Sequence, residues 1–123
     1  MSKLILVRGI PGSGKSTYAR SLGIPDHFEA DMYFEKFHNG TFVPAEIKKA
    51  HEWCQSQATT AMAKGRDVVV SNTFVRKWEM EFYLNAAKTL GIEVEIVVCR
   101  GNFQNVHGVP PEKVAQMAER FEE

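Results

Sequence analysis

The sequence predicts an α/β fold, three α/β/α layers around a short parallel sheet of about four strands, in a single domain over residues 1–123. Three observations predict it. Short apolar runs alternate with longer segments in which apolar residues recur every three or four positions. The short runs are rich in Val, Ile and Leu without polar alternation, the pattern of parallel strands buried on both faces. The first of them, Leu4-Ile5-Leu6-Val7, leads directly into the glycine-rich stretch Gly9-Ile10-Pro11-Gly12-Ser13-Gly14-Lys15-Ser16-Thr17.

Leu4 to Val7 is the first strand, and Lys15 to Leu22 is the first helix, stopped by Gly23. His27 to Ala30 reads as a second strand ending at Asp31. Met32 to Val43 reads as a brief helical piece and a turn at Asn39-Gly40. A long helix opens at Pro44, a residue suited to a first helical position, and runs to Gly65. Its stripe of Ile47, Ala50, Cys54, Ala58, Ala61 and Met62 is expected to be core. Val68-Val69-Val70 is a buried parallel strand with Ser71-Asn72-Thr73 at its carboxyl end. Arg76 to Leu90 forms a helix with Trp78, Phe82, Tyr83, Ala86, Ala87 and Leu90 on one side, Val94 to Val98 a fourth strand, and Pro110-Pro111 opens a last helix through Phe121. Crossovers between such strands are right-handed because strands twist that way.

Composition narrows the partners. Lys+Arg and Asp+Glu both total 15, so the net charge is zero and no global field draws in long nucleic acid. Cys54 and Cys99 form no C-x-x-C pair, and no signal peptide or membrane span is legible, which fits a reducing, cytoplasmic setting. His27, His38, His51 and His107 lack zinc-ligand spacing and are expected to be structural or exposed.

The glycine-rich stretch matches G-x-x-x-x-G-K-S, the phosphate-binding loop of P-loop NTPases. Gly9, Gly12 and Gly14 permit crowded or left-handed backbone, so the amides from Gly12 to Thr17, after the bend at Pro11, can wrap a polyphosphate. Lys15 supplies a cation to the β- and γ-phosphates, Ser16 a hydroxyl to Mg²⁺, and the following helix turns its positive end toward the anion. ATP with Mg²⁺ is therefore the expected cofactor.

Ligands of parallel sheets bind beyond the carboxyl ends of the strands. Those ends offer Asp31, Ser71-Asn72-Thr73 and Arg100. Asp31 is placed to take the proton of an incoming hydroxyl, or else to cap the helix that follows. No acid ends the third strand, so the metal is organised by Ser16, with Asp31 or Asn72 acting through water, unless Asn72 and Thr73 serve only a turn.

The loop, Asp31, Asn72-Thr73 and the element order resemble the 5′-hydroxyl kinase domain of phage-type polynucleotide kinases. Trp78-Glu79-Met80, Asn105-Val106-His107-Gly108-Val109 and the run from Glu112 to Glu122 extend the likeness to the polynucleotide-kinase-like domains of small bacterial and phage proteins, also attached to some animal ubiquitin-ligase-binding proteins. The resemblance implies an adenylate-kinase-like strand order 2-3-1-4, ATP and Mg²⁺, and Asp31 as base toward a nucleic-acid 5′-hydroxyl. In two places the chain departs from the phage pattern. Phe34 stands where an acceptor-gripping arginine is expected, and the lid stretch from Arg100 to His107 has Gln104 and His107 near the expected arginines. Arg100 is the remaining candidate for charge stabilisation, with protonated His107 a weaker substitute.

Phe34, with Tyr33, Phe37 and Phe74, forms either a stacking wall for an acceptor base or core. Asp31, Phe34, Asn72 and Thr73 are thus the acceptor-side candidates. Three readings stay open: a kinase for the 5′-hydroxyl of a nucleic acid, a kinase for a small hydroxyl compound such as a nucleoside, and a nucleotide-binding module with little catalysis.

Overall fold

The computed structural model describes residues 2–101 and 109–122. Strands β1 (Lys3–Arg8), β2 (Asp26–Phe28), β3 (Val68–Asn72) and β4 (Glu93–Val98) form one parallel sheet in the order β2-β3-β1-β4. Five helices accompany them: α1 (Lys15–Ser21), α2 (Asp31–Phe37), α3 (Ile47–Ala63), α4 (Glu81–Leu90) and α5 (Pro111–Arg120). The predicted strand order is therefore the observed one.

Alternating side chains explain the three layers. Leu4, Leu6, Val68 and Val70 face Cys54, Ala58, Met62, Tyr83 and Ala87 of α3 and α4. Ile5, Val7 and Val69, one position out of phase, face Ala19 of α1 and its flanks Leu22 and Ile24. Both faces of β1 and β3 are dry, so these central strands lack polar alternation, whereas the edge strand β4 carries exposed Glu93 and Glu95. A smaller cluster of Ala30, Phe34 and Ala50 joins α2 to α3.

The helix stripes read from sequence are only partly buried. Ile47 is 43% exposed, Trp78 67%, Phe82 43% and Leu90 44%. Pro44–Glu46 and Lys77–Met80 are 3₁₀ turns, not α-helix, so Trp78 lies outside α4. The tighter winding at Lys77–Met80 changes the angular phase of Trp78 relative to α4 and leaves it toward water, whereas Ile47, Phe82 and Leu90 lie within the α-helices themselves.

A buried cation fixes the top of the sheet. Arg8, 1% exposed, donates from Nε (3.1 Å) and Nη2 (2.7 Å) to the Phe74 carbonyl and from Nη2 (3.4 Å) to that of Val75. Phe74 holds φ at 44°, a strained value for a bulky residue, and these bonds help hold it there. The Arg8 guanidinium also lies 4.4 Å from the centre of the Phe121 ring, which anchors the end of α5. The next residue completes the anchor: the Glu122 amide donates to Val75 O at 2.8 Å, and its carboxylate accepts from the Lys77 amide at 2.7 Å.

Candidate active site

The β1–α1 loop is shaped by crowding. A Cβ on Gly9 would stand 2.2 Å from Ser13 Oγ and 2.8 Å from the Cys99 carbonyl, so only glycine fits. Gly12 and Gly14 take φ of 85° and 88°, left-handed values that turn the chain back on itself ahead of α1. The loop is tied to both neighbouring strand ends: Gly9 N donates to Thr73 O at 3.2 Å and Gly101 N to Ser13 O at 3.0 Å. Pro11 and Ser13 are buried, Thr17 is exposed, and Lys15 is only 7% exposed. Burial lowers the Lys15 pKa, and the carboxylates of Glu29 and Asp31 pull it back up.

Glu29 is the residue that the sequence reading missed. It sits just beyond β2, 7% exposed, and accepts from Ser16 Oγ at 3.1 Å while its other oxygen lies 2.8 Å from His27 Nε2. Burial alone would raise its pKa, but His27, Ser16 and Lys15 together outweigh burial and hold it below the ordinary carboxylate value. The signal was there: His27 and Glu29 are two apart in an extended segment and therefore share a face. Ser16, expected on the metal, is thus oriented by a buried carboxylate.

Asp31 is the first residue of α2, with Ala30 in the cap position. The Ala30 amide donates to Asn72 Oδ1 at 2.9 Å, and Asn72 Nδ2 lies 3.8 Å from Cys54 Sγ. Asn72 therefore ties the end of β3 to the start of the helix that carries Asp31. A cleft of ≈ 750 Å³ brings the candidates together: Pro11, Lys15, Asp31, Phe34, Asn72 and Thr73 all line it. So do Glu29, Phe42, His51, Ser71 and, from α5, Lys113 and Met117. Burial lowers the His51 pKa against the pull of Glu79 and Asp31.

The remaining candidates are spread more widely. Arg100 is exposed and lines a separate, smaller cleft of ≈ 250 Å³ with Ile10, Cys99, Ala118 and Phe121. Gln104 and His107 lie outside the described residues. Phe74 is core, 3% exposed and packed edge-to-face on Tyr83, and Phe37 is 54% exposed outside the cleft lining. Of the supposed stacking wall, Phe34 alone lines the cleft.

Three buried hydroxyls lack hydrogen-bond partners among the described residues, Tyr83 Oη in the core and two at the site: Ser13 Oγ in the loop and Ser71 Oγ at the end of β3. Orphaned donors beside a buried ammonium and glycine-turned amides are a cradle for an anion with its hydration or metal shell. A loop of this kind, a hard oxygen pair in Ser16 and Glu29, and a carboxylate at a facing helix start can bind a nucleotide and abstract a proton.

Comparison with known proteins agrees with this geometry. The family described as an AAA domain matches residues 4–102. Human NEDD4-binding protein 2 is 30% identical over 133 residues, covering 97% of this chain and 8% of its own length. The chain thus spans a small fraction of that relative. The Pnkp1/Rnl/Hen1 complex contains a chain that superposes with a TM-score of 0.64 at 18% identity, over 94% of this chain and 38% of that one. The Mycobacterium tuberculosis APS kinase CysC superposes with a TM-score of 0.58 at 20% identity, over 99% and 98% of the two chains. The structural likenesses share a P-loop kinase fold.

Proposed function

The chain belongs to the AAA domain family, and from that premise we propose that it is an ATP-dependent kinase whose acceptor is a hydroxyl group, in the first place the 5′-hydroxyl of a nucleic acid. One observation carries the reading: Asp31 opens α2 in the same cleft as Lys15, close enough for its charge to offset part of the lowering that burial imposes on the lysine's pKa. A carboxylate facing the phosphate end of a P-loop from the acceptor side is the arrangement for in-line transfer. Asp31 takes the hydroxyl proton, and Lys15 and the amides of Gly12 to Thr17 hold the phosphates. ADP leaves as product.

Mg²⁺ fits the donor set. Glu29 and Ser71 line the cleft with hard oxygens, and Ser16 adds its hydroxyl against Glu29. Among the described residues no group of three or more His, Cys, Asp or Glu could hold an ion alone, so the phosphates supply the remaining ligands, as is usual for this cation. When bound it neutralises charge on the β- and γ-oxygens. Asn72 and Thr73 line the acceptor side, and Arg100 would have to reach the phosphates from β4's end to add a further cation.

Support for a nucleic-acid acceptor comes from the fold shared with a chain of the Pnkp1/Rnl/Hen1 complex, an RNA repair complex. The alternative, a small hydroxyl compound, is favoured by Phe34 in the cleft and by the absence of arginine among its described lining residues. Two free cysteines, Cys54 and Cys99, support a reducing, cytoplasmic setting. No helix among the described residues is long and apolar enough to cross a membrane.

Incubation with γ-labelled ATP and, in parallel, 5′-hydroxyl DNA, 5′-hydroxyl RNA and a nucleoside panel tests the proposal. Label on a polymer supports the first reading and label on a nucleoside the second. ATP binding without label on any acceptor leaves a binding module.

A further inference from the structure

Resting on the kinase reading, we propose that the acceptor is gripped by the ring of its terminal nucleoside, on an aromatic platform made by Phe42 with Phe34, and not by its phosphate. The two rings stand edge-to-face with centroids 5.1 Å apart, and both line the large cleft. Phe34 is buried, but Phe42 is 55% exposed. An apolar ring left to water at a cleft mouth is an unpaired apolar surface, and burying one face of it against a flat ligand recovers that loss.

Phe42 is also held in place. Its loop turns through Asn39 and Gly40, at φ of 52° and 85°, and is pinned to the end of α2 by Gly40 N to Phe34 O and Thr41 N to His38 O, both 2.9 Å. Glu46, on the far side of the loop, accepts from Tyr33 Oη and lies 3.0 Å from His38 Nε2. A loop braced at both ends presents its ring with little entropy left to lose on binding.

Charge excludes the usual alternative. Apart from Lys15, which serves the donor phosphates, the cleft's described lining has one lysine, Lys113, against Glu29, Asp31 and Glu35. Among the described lining residues an acceptor phosphate would meet three carboxylates and no guanidinium fork. An uncharged base carries no such penalty. The shared chemistry is a nucleobase on a sugar with a free hydroxyl, whether from a polynucleotide end or a free nucleoside.

The test measures binding by titration in the presence of a non-hydrolysable ATP analogue and Mg²⁺, using the full chain and its Phe42→Ala and Phe42→Trp variants. Three ligands are compared: a 5′-hydroxyl tetranucleotide, the same tetranucleotide lacking its 5′-terminal base, and free adenosine. Stacking of one base on one ring is worth about 5- to 100-fold in affinity. The wild type should prefer the intact tetranucleotide by that factor, Phe42→Ala should abolish the preference, and Phe42→Trp should retain it. Adenosine binding as tightly as the tetranucleotide identifies the nucleoside as the whole ligand, and weaker binding shows contacts continuing along the chain; both support the platform.

Equal affinity for intact and base-less tetranucleotide, or an undiminished preference in Phe42→Ala with its fold confirmed by circular dichroism, overturns it. Phosphoryl transfer is scored separately. Base-dependent binding through Phe42 without transfer would sink the kinase reading and leave the platform standing, whereas transfer without base dependence would do the reverse.

Discussion

Asn72→Ala should destabilise the protein by about 2 kcal/mol and slow transfer without weakening ATP binding. In the native state the Ala30 amide, on a residue 8% exposed, has Asn72 Oδ1 as its acceptor at 2.9 Å. Truncation leaves that buried N–H without a partner, which costs about 1–3 kcal/mol. The weak contact to Cys54 Sγ adds little. A loss of ~2 kcal/mol is roughly a 30-fold change in the folded-to-unfolded ratio. Urea unfolding reads it directly as a lower midpoint at unchanged slope.

Its neighbour is the control. Ser71 Oγ is equally buried and has no partner among the described residues, so Ser71→Ala removes a hydroxyl whose burial was uncompensated. That change should leave stability within about 0.5 kcal/mol or raise it slightly. If Asn72→Ala unfolds at the same urea concentration as Ser71→Ala, the bond to Ala30 contributes nothing and the positioning argument for Asp31 is wrong.

Three further outcomes are expected. Lys15→Met should weaken MgATP binding about 10- to 100-fold, the loss of a charge-assisted contact, read as a vanished nucleotide-induced rise in Tm. Glu29→Gln keeps the shape at Ser16 but removes the charge, and should raise the Mg²⁺ concentration needed for half-maximal nucleotide binding about 10- to 100-fold; unchanged Mg²⁺ dependence would separate Glu29 from the metal. His51→Asn should flatten the pH dependence of stability just below pH 6.5: burial depresses the folded pKa beneath its ordinary 6.5, so the unfolded chain protonates first and stability, full above that pH, falls as pH drops toward the folded value. Melting temperatures between pH 5 and 8 for both proteins check this, and parallel curves would refute it.

The central strands were legible because burial on both faces leaves a plain signature, as in Val68-Val69-Val70 with 0% exposure throughout, whereas the strand order was implied by the resemblance to polynucleotide kinases. The loop was legible because its function requires glycine where few other residues need it, and Gly9 shows why in its contact with Ser13. Helix faces were less so. Trp78 follows the period of an α-helix in sequence, but the 3₁₀ turn at Lys77–Met80 shifts its phase, and nothing in local composition marks such a turn.

Within the site, Asp31 could be found by its place after a strand, whereas Glu29 two positions earlier looked like an ordinary strand residue. Its importance comes from Ser16 and His27 converging on it, and the Ser16 contact is made by the fold. His51 and Phe42 enter the cleft from α3 and from a loop with no motif of their own. Tertiary neighbours, not sequence neighbours, give such residues their surroundings.

The most direct measurement is single-turnover transfer of label from γ-labelled ATP to a 5′-hydroxyl oligonucleotide by the wild type and Asp31→Asn, with MgATP affinity measured on the same samples. The account predicts that the variant loses about 10²- to 10⁴-fold in transfer rate while its ATP affinity stays within a few-fold of the wild type. Transfer at the wild-type rate by Asp31→Asn would contradict it.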